Sequence, residues 1–351
     1  TFSLPLLQSF IMSSYILFGL ENPLLDYYVG GETATLEKYG LKSNDAVLAS
    51  ESQMGIYKEP CVSYSAGGAA QNSCRAAQYV LPPNSTVFAG CVGQDKFADM
   101  LLESNEKAGL RSEFSVDPTT PTGVCAVVLS NNNKNRSLCT NLGAANNYKL
   151  KDLQQPNVWK FVEEAKVIYV GGFHLTVSPE SMLCLAQHAN ENNKPYIMNL
   201  SAPFLSQFFK EQMDSVIPYC DYVIGNEAEI LSYGENHGIK STDVQEIALA
   251  LSSVEKVNKK RTRVVVITQG ADATIVAKDG KVTTYKPNRV PSEEIVDTNG
   301  AGDAFAGGFI AALSQGQGID YAVTLGHWLG QECIKVSGTT LPLPKKQFPL
   351  P

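Results

Sequence analysis

The sequence predicts an α/β protein with one large domain on a mostly parallel sheet, helices on both faces and a small β-rich lid. Three observations carry that expectation. Residues 166–170, 195–200, 221–225 and 263–268 are short apolar runs rich in Val, Ile and Tyr, each closing at or just before Gly, Ser or Thr. Runs without in–out alternation belong to strands buried on both faces, as in parallel sheets. Between two of them, Met182, Leu183, Leu185, Ala186 and Ala189 recur at helical spacing over 179–190, which makes a βαβ unit. Residues 24–45 and 110–147 are instead richer in Thr, Asn and alternating apolar residues, as expected of an inserted β element.

In chain order, the first twenty residues are largely apolar but contain no Lys or Arg, unlike the basic start of a secretory leader. Pro5, Gln8, Ser9, Ser13 and Ser14 interrupt the run, so it does not read as a membrane span. Residues 15–19 read as the first buried strand, Met12 as a start, and 1–11 as an extension. Residues 123–129, the turn 131–135 and then 136–138 read as a hairpin. The expected large domain comprises 15–23, 46–109 and 148–345, and the lid 24–45 and 110–147.

Composition narrows the function. There are 28 basic and 35 acidic residues, a net charge of −7, and only four His. That balance argues against a nucleic-acid partner, which needs a basic face. The eight Cys form no C-x-x-C pair and no zinc spacing, and read as reduced thiols of a cytoplasmic protein, with the nucleus also open to it.

The most informative stretch is Asp297-Thr298-Asn299-Gly300-Ala301-Gly302-Asp303. The two glycines permit a tight turn, and Ala304, Phe305, Phe309, Ala312 and Leu313 then follow at helical spacing. A helix opening there presents free N–H groups and its positive dipole end, which together bind anions. Asp303 at the helix start is either a cap or a general base beside a bound phosphoryl group. Other phosphate loops are absent: no G-x-x-x-x-G-K-[ST] run exists, and Phe305 occupies the third glycine position of a dinucleotide fingerprint. The His-Arg-Asp of protein kinases is also missing.

Residues 297–305 resemble the C-terminal signature of the ribokinase-like (PfkB) carbohydrate kinases. Six further stretches fall in matching order at similar intervals: 22–26 (Asn-Pro-Leu-Leu-Asp), 66–72, 135–138, 172–180, 200–204 and 225–229. The resemblance runs along nearly the whole chain from about residue 16. It implies a three-layer ribokinase-like sandwich and ATP-dependent phosphorylation of a nucleoside 5′-hydroxyl, adenosine giving AMP and ADP in purine salvage. It also implies Mg²⁺, room for a monovalent cation, adenosine and ATP as partners, no membrane partner, and a monomer.

The same resemblance assigns roles. Gly300, Ala301 and Gly302 would hold phosphoryl oxygens, and Asp303 would take the proton of the 5′-hydroxyl. Arg136 would reach the transferring phosphate when the lid closes. Asp26, Gly67, Gly68 and Asn72 would meet the sugar, with Asn22 bracing the Asp26 loop. Phe173 and Phe204 would flank adenine by stacking, with Leu138 and Leu142 closing an apolar slot. Thr268, Gly270, Asn226 and Asn299 would line the ATP side, and Asn226 with Glu229 would hold the metal through water. The four His receive no role. The alternatives are a family kinase acting on a sugar, inosine or guanosine, and a non-catalytic nucleoside sensor. The aromatic pair favours a purine nucleoside over a bare sugar, and the intact turn and Asp303 speak against the sensor.

Overall fold

A computed structural model of the chain describes residues 15–43, 45–130 and 135–349. The 1–11 extension and the 131–134 turn lie outside the described residues. Numbered along the chain, the strands are β1 (Leu17–Leu20), β2 (Leu25–Val29), β3 (Ala46–Leu48), β4 (Cys61–Ala66), β5 (Thr86–Gly93), β6 (Arg111–Asp117) and β7 (Val124–Ser130). They continue as β8 (Asn135–Asn141), β9 (Val167–Gly171), β10 (Tyr196–Asn199), β11 (Tyr222–Asn226), β12 (Val264–Gln269), β13 (Asp272–Lys278) and β14 (Lys281–Tyr285).

Nine strands form the large sheet in the order β14-β13-β12-β11-β10-β9-β1-β5-β6. The seven from β12 to β6 run parallel, and β13 and β14 close one edge antiparallel. Successive residues of one strand enter opposite cores, as the pleat requires. Phe18, Ile168 and Val170 face the helices Pro156–Glu164, Pro179–Glu191 and Val244–Ser252. Leu17, Val167 and Tyr169 face the helices Ala69–Val80, Ala301–Ser314 and Ile319–Cys333. These buried strands carry no polar face because neither side meets water.

The second sheet has five strands, β3-β8-β7-β2-β4, and its partition of the chain differs from the expected one. β3 and β4 lie within 46–109, expected in the large domain, yet pair with β8 and β2. β6 lies within 110–147, expected in the lid, yet pairs with β5 in the large sheet. Strand pairing is a non-local choice: β6 is mostly half-buried with no fully buried residue, which suits the edge of either sheet. The chain crosses between sheets four times, at Leu20–Leu25, Ala66–Ala69, Asp117–Val124 and between β8 and β9, and the first, second and fourth crossings border the site.

Candidate active site

The parallel strands end on one side in a cavity of about 660 Å³, roofed by the second sheet. Its walls come from the carboxyl ends of β1, β9, β10, β11 and β12, where open α/β sheets bind ligands. The opposing lining comes from Asp26 on β2 and from Arg136, Leu138 and Thr140 on β8.

Asp303 lies at the first turn of the helix Ala301–Ser314, and that helix start has no side-chain cap. Asp303 instead reaches across to the neighbouring helix, where its Oδ2 accepts a hydrogen bond from Asn72 Nδ2 at 2.8 Å. The alternative between cap and cavity carboxylate is thus decided by tertiary contact. Asn72 is in turn held by the Arg75 guanidinium, which donates to Asn72 Oδ1 and to Ala66 O, the latter at 2.7 Å.

Two glycines beside Asp303 have separate reasons. Gly300 sits at φ +75, and a Cβ there would come within 2.9 Å of Thr339 Cγ2, so backbone and space both require glycine. At Gly302 a Cβ would meet nothing within 4 Å, and the residue lines the cavity. Among the described residues nothing forbids a side chain at 302, so the room is left for a ligand at the helix N-terminus. The preceding Asp297 braces the turn, accepting from Asn299 N at 2.8 Å and Gly338 N at 2.9 Å.

Of the carboxyls that line the cavity, enclosure raises four: Glu21, Asp26, Glu229 and Asp303. Asp303 is pushed up to about 6, opposed by the Asn72 hydrogen bond and the charges of Arg136 and Arg75. Asp26 rises to about 7 and Glu229 to about 7, both mainly by burial. Glu21 rises to about 8, mainly by burial, although Ala70 N donates to its Oε2 at 2.7 Å. The positive charge of Arg136 is felt at Asp26, Glu229 and Asp303, which lie on three separate elements. A carboxylate poised near 6 is ionised at neutral pH and still basic enough to accept a proton in a transition state.

Asn226 and Glu229 close on each other as a capping box at the start of the helix Glu227–Asn236. Glu229 accepts from Asn226 N at 2.9 Å and Nδ2 at 2.6 Å, and Asn226 Oδ1 accepts from Glu229 N at 2.9 Å. Among the described residues no group of three His, Cys, Asp or Glu side chains could hold a metal ion. Asn226 and Glu229 line the cavity with one amide and one carboxylate, a set that would meet a hydrated Mg²⁺ only through water.

Residues 33–346 match the pfkB family carbohydrate kinase profile. The chain belongs to the pfkB carbohydrate kinase family. It is 43% identical over 332 residues to adenosine kinase 1 of Arabidopsis thaliana, covering 93% of this chain and 96% of that protein. Its fold is similar to that of Anopheles gambiae adenosine kinase in complex with P1,P4-di(adenosine-5) tetraphosphate. That similarity has a TM-score of 0.89 and 39% identity over 93% of this chain and 97% of the other. Schistosoma mansoni adenosine kinase in complex with 2-fluoroadenosine is similar at TM-score 0.89 and 36% identity, over 94% and 98% of the two chains.

Most of the residues expected from the pfkB resemblance converge on the cavity. Asn22, Asp26, Gly68, Asn72, Arg136, Leu138, Leu142, Phe173 and Phe204 line it, as do Asn226, Glu229, Thr268, Gly270, Asn299, Gly300, Gly302 and Asp303. Gly67 and Ala301 are absent from the lining. Gly67 acts one step back, since a Cβ there would fall 2.1 Å from Asp26 Oδ1. Asn22 does not brace Asp26: it donates to Phe173 O at 3.4 Å and bonds the His174 ring at 3.1 Å. The rings of Phe173 and Phe204 are 6.1 Å apart and tilted by 37°. A base slid between parallel rings needs roughly 7 Å, twice the carbon–carbon contact distance. The two rings therefore touch and form one angled wall rather than two sides of a sandwich.

Four contributors escaped the sequence reading. Glu21 is buried where Gly171 leaves it room. Arg75 holds Asn72, and Tyr28 OH on β2 accepts from Asn299 Nδ2 at 3.1 Å. Ser201 Oγ accepts from Gly172 N at 2.8 Å. Arg75 sits among Gln71, Asn72 and Gln78 on a polar stripe of its helix, so it stands out no more than the other three, and none leaves a local signal.

Proposed function

We propose that this chain transfers the γ-phosphoryl group of ATP to the 5′-hydroxyl of adenosine, giving AMP and ADP. The observation that carries the reading is Asp303 at an uncapped helix N-terminus, in one cavity with the buried carboxylate Asp26 and an aromatic wall. High identity over nearly the full length of adenosine kinases supports it.

In this reading Asp26 accepts the vicinal ribose hydroxyls, while Gly67 and Gly68 let backbone approach the sugar and Asn72 borders it. Adenine lies on the Phe173–Phe204 wall under Leu138 and Leu142. Asp303 removes the 5′-hydroxyl proton as that oxygen attacks the γ-phosphorus. The bond from γ-phosphorus to the β–γ bridging oxygen breaks, and ADP leaves with that electron pair. N–H groups of the 300–302 turn and the Arg136 guanidinium stabilise the charge on the transferring group. Thr268, Gly270, Asn226 and Asn299 border the ATP. Glu229 and Asn226 would hold a Mg²⁺ ion through water, which would supply charge neutralisation on the phosphates. Because Arg136 comes from the second sheet, movement of that sheet gates both solvent and catalysis.

We further read the protein as a cytoplasmic monomer of purine salvage. Eight free cysteines, six of them buried, support a reducing compartment. No helix among the described residues is long and apolar enough to cross a membrane. The decisive experiment is a coupled ADP-release assay with adenosine on wild type and Asp303→Ala. Adenosine-dependent release in wild type, lost in the variant, is the expected result. Release that ignores adenosine, or that survives in Asp303→Ala, sinks the proposal.

A further inference from the structure

Among the described residues, four that are not glycine hold positive φ: Asn84, Asn193, Ser201 and Asp279. Three are Asn or Asp at turns, whose short polar side chains support that conformation. Ser201 is the exception, with φ +66, and it lies in the cavity wall. Strain of this kind persists only where surrounding contacts over-determine it, and it concentrates at functional sites.

The contacts that hold Ser201 are specific. Its N–H donates to Asn199 Oδ1 at 2.9 Å, closing a turn at the end of β10. Its Oγ accepts from Gly172 N at 2.8 Å and donates to Asn199 O at 3.4 Å. Gly172 immediately precedes Phe173, and Ser201 stands three residues before Phe204. A Cβ on Gly172 would lie 2.5 Å from Asn199 O, so the two loops already touch backbone to backbone. The left-handed turn delivers the hydroxyl to that junction and sends the chain into the short helix Pro203–Phe208, which carries Phe204.

We propose that Ser201 is a positioning residue for nucleoside recognition, clamping the Phe204 loop to the Phe173 loop and so setting the angle of the aromatic wall. The inference rests on the reading that this cavity takes adenosine. It predicts that the penalty for losing the clamp falls on the nucleoside and spares ATP.

Ser201→Gly isolates the hydroxyl, because glycine accepts positive φ without strain and folding is not at risk. Ser201→Ala loses the hydroxyl and keeps the strain. Steady-state kinetics with each substrate varied in turn should show the adenosine KM raised by roughly 3- to 10-fold in both variants, the worth of one hydrogen bond. The ATP KM should stay within about twofold, and kcat should fall far less than the adenosine KM rises. A wild-type adenosine KM in Ser201→Gly overturns the inference alone. Equal rises in both KM values also overturn it, since general loosening would do that. A wild type without adenosine turnover overturns the functional reading and this inference with it.

Discussion

Replacing Asn72 with Ala should move the acid limb of the kcat/KM profile upward while leaving its alkaline plateau. Asp303 titrates at about 6 in the folded protein, raised by enclosure and restrained by the Asn72 hydrogen bond. That bond is 2.8 Å long and reaches a carboxylate, a class contributing roughly 1.5–3 kcal/mol. One pKa unit corresponds to about 1.4 kcal/mol. Because Asp303 lines the cavity, water replaces part of the loss, and a shift of about one unit, to about 7, is expected. The sign follows from the donor: Asn72 stabilises the ionised form, so its removal favours the protonated form, which cannot act as a base. At pH 6 the ionised fraction then falls from about one half to about one tenth, and at pH 8 it barely changes. Arg75 keeps its bond to Ala66 O, so the helix is not undone. The assay is kcat/KM for adenosine across about pH 5 to 9 in both proteins. Any lost ribose contact lowers the whole curve without moving its inflection. An inflection that stays at the wild-type value, or a wild-type limb near the ordinary carboxyl value, would refute the assignment of Asp303 as the titrating base.

Asp303→Asn should bind adenosine, seen as a thermal shift, with kcat lowered about 10²–10⁴-fold, the usual worth of a general base. Near-normal kcat would reject that role. Gly302→Ala should fold and melt like wild type, since its Cβ meets nothing, yet lose about 10²-fold in kcat by crowding the anion turn. Gly300→Ala, facing both positive φ and Thr339, should lower the melting temperature as well. Glu229→Gln should raise the Mg²⁺ concentration for half-maximal rate while leaving adenosine affinity alone; an unchanged Mg²⁺ titration counts against the water-mediated anchor. Glu21 titrates at about 8 when folded against an ordinary 4.5. The folded state therefore keeps a proton that the unfolded chain has released, so stability falls as pH rises through that window. Asp26, Glu229 and Asp303 give the same slope up to about 7, so Glu21→Gln should remove only the part that persists from there to about pH 8, and should exceed wild type above about pH 8 by about 1–3 kcal/mol in denaturant titrations.

The parts of the site legible in the sequence are those whose function depends on neighbours in sequence. The Gly300–Gly302 turn with Asp303 is one uninterrupted segment, and its glycines report a backbone demand before any fold is known. The Asn226 and Glu229 pair is a capping box at fixed spacing. Arg75, Glu21, Tyr28 and Ser201 were invisible for the opposite reason. Each matters through a partner in another element, as Tyr28 does through Asn299. The angled Phe173–Phe204 wall depends on where two loops meet, which neither phenylalanine encodes.

By itself the sequence determined the α/β class, the parallel strands, and the helix that begins at a glycine turn carrying Asp303. Apolar periodicity and glycine placement are local, and local patterns carry that information. Only the tertiary structure decided which sheet takes β3, β4 and β6, and whether Asp303 caps its helix or faces a cavity. It also decided how Arg136, from one sheet, comes to act on carboxyls held by the other. Those outcomes rest on burial and hydrogen bonding between segments far apart in the chain. The free energy of such contacts exists only after packing brings both partners together.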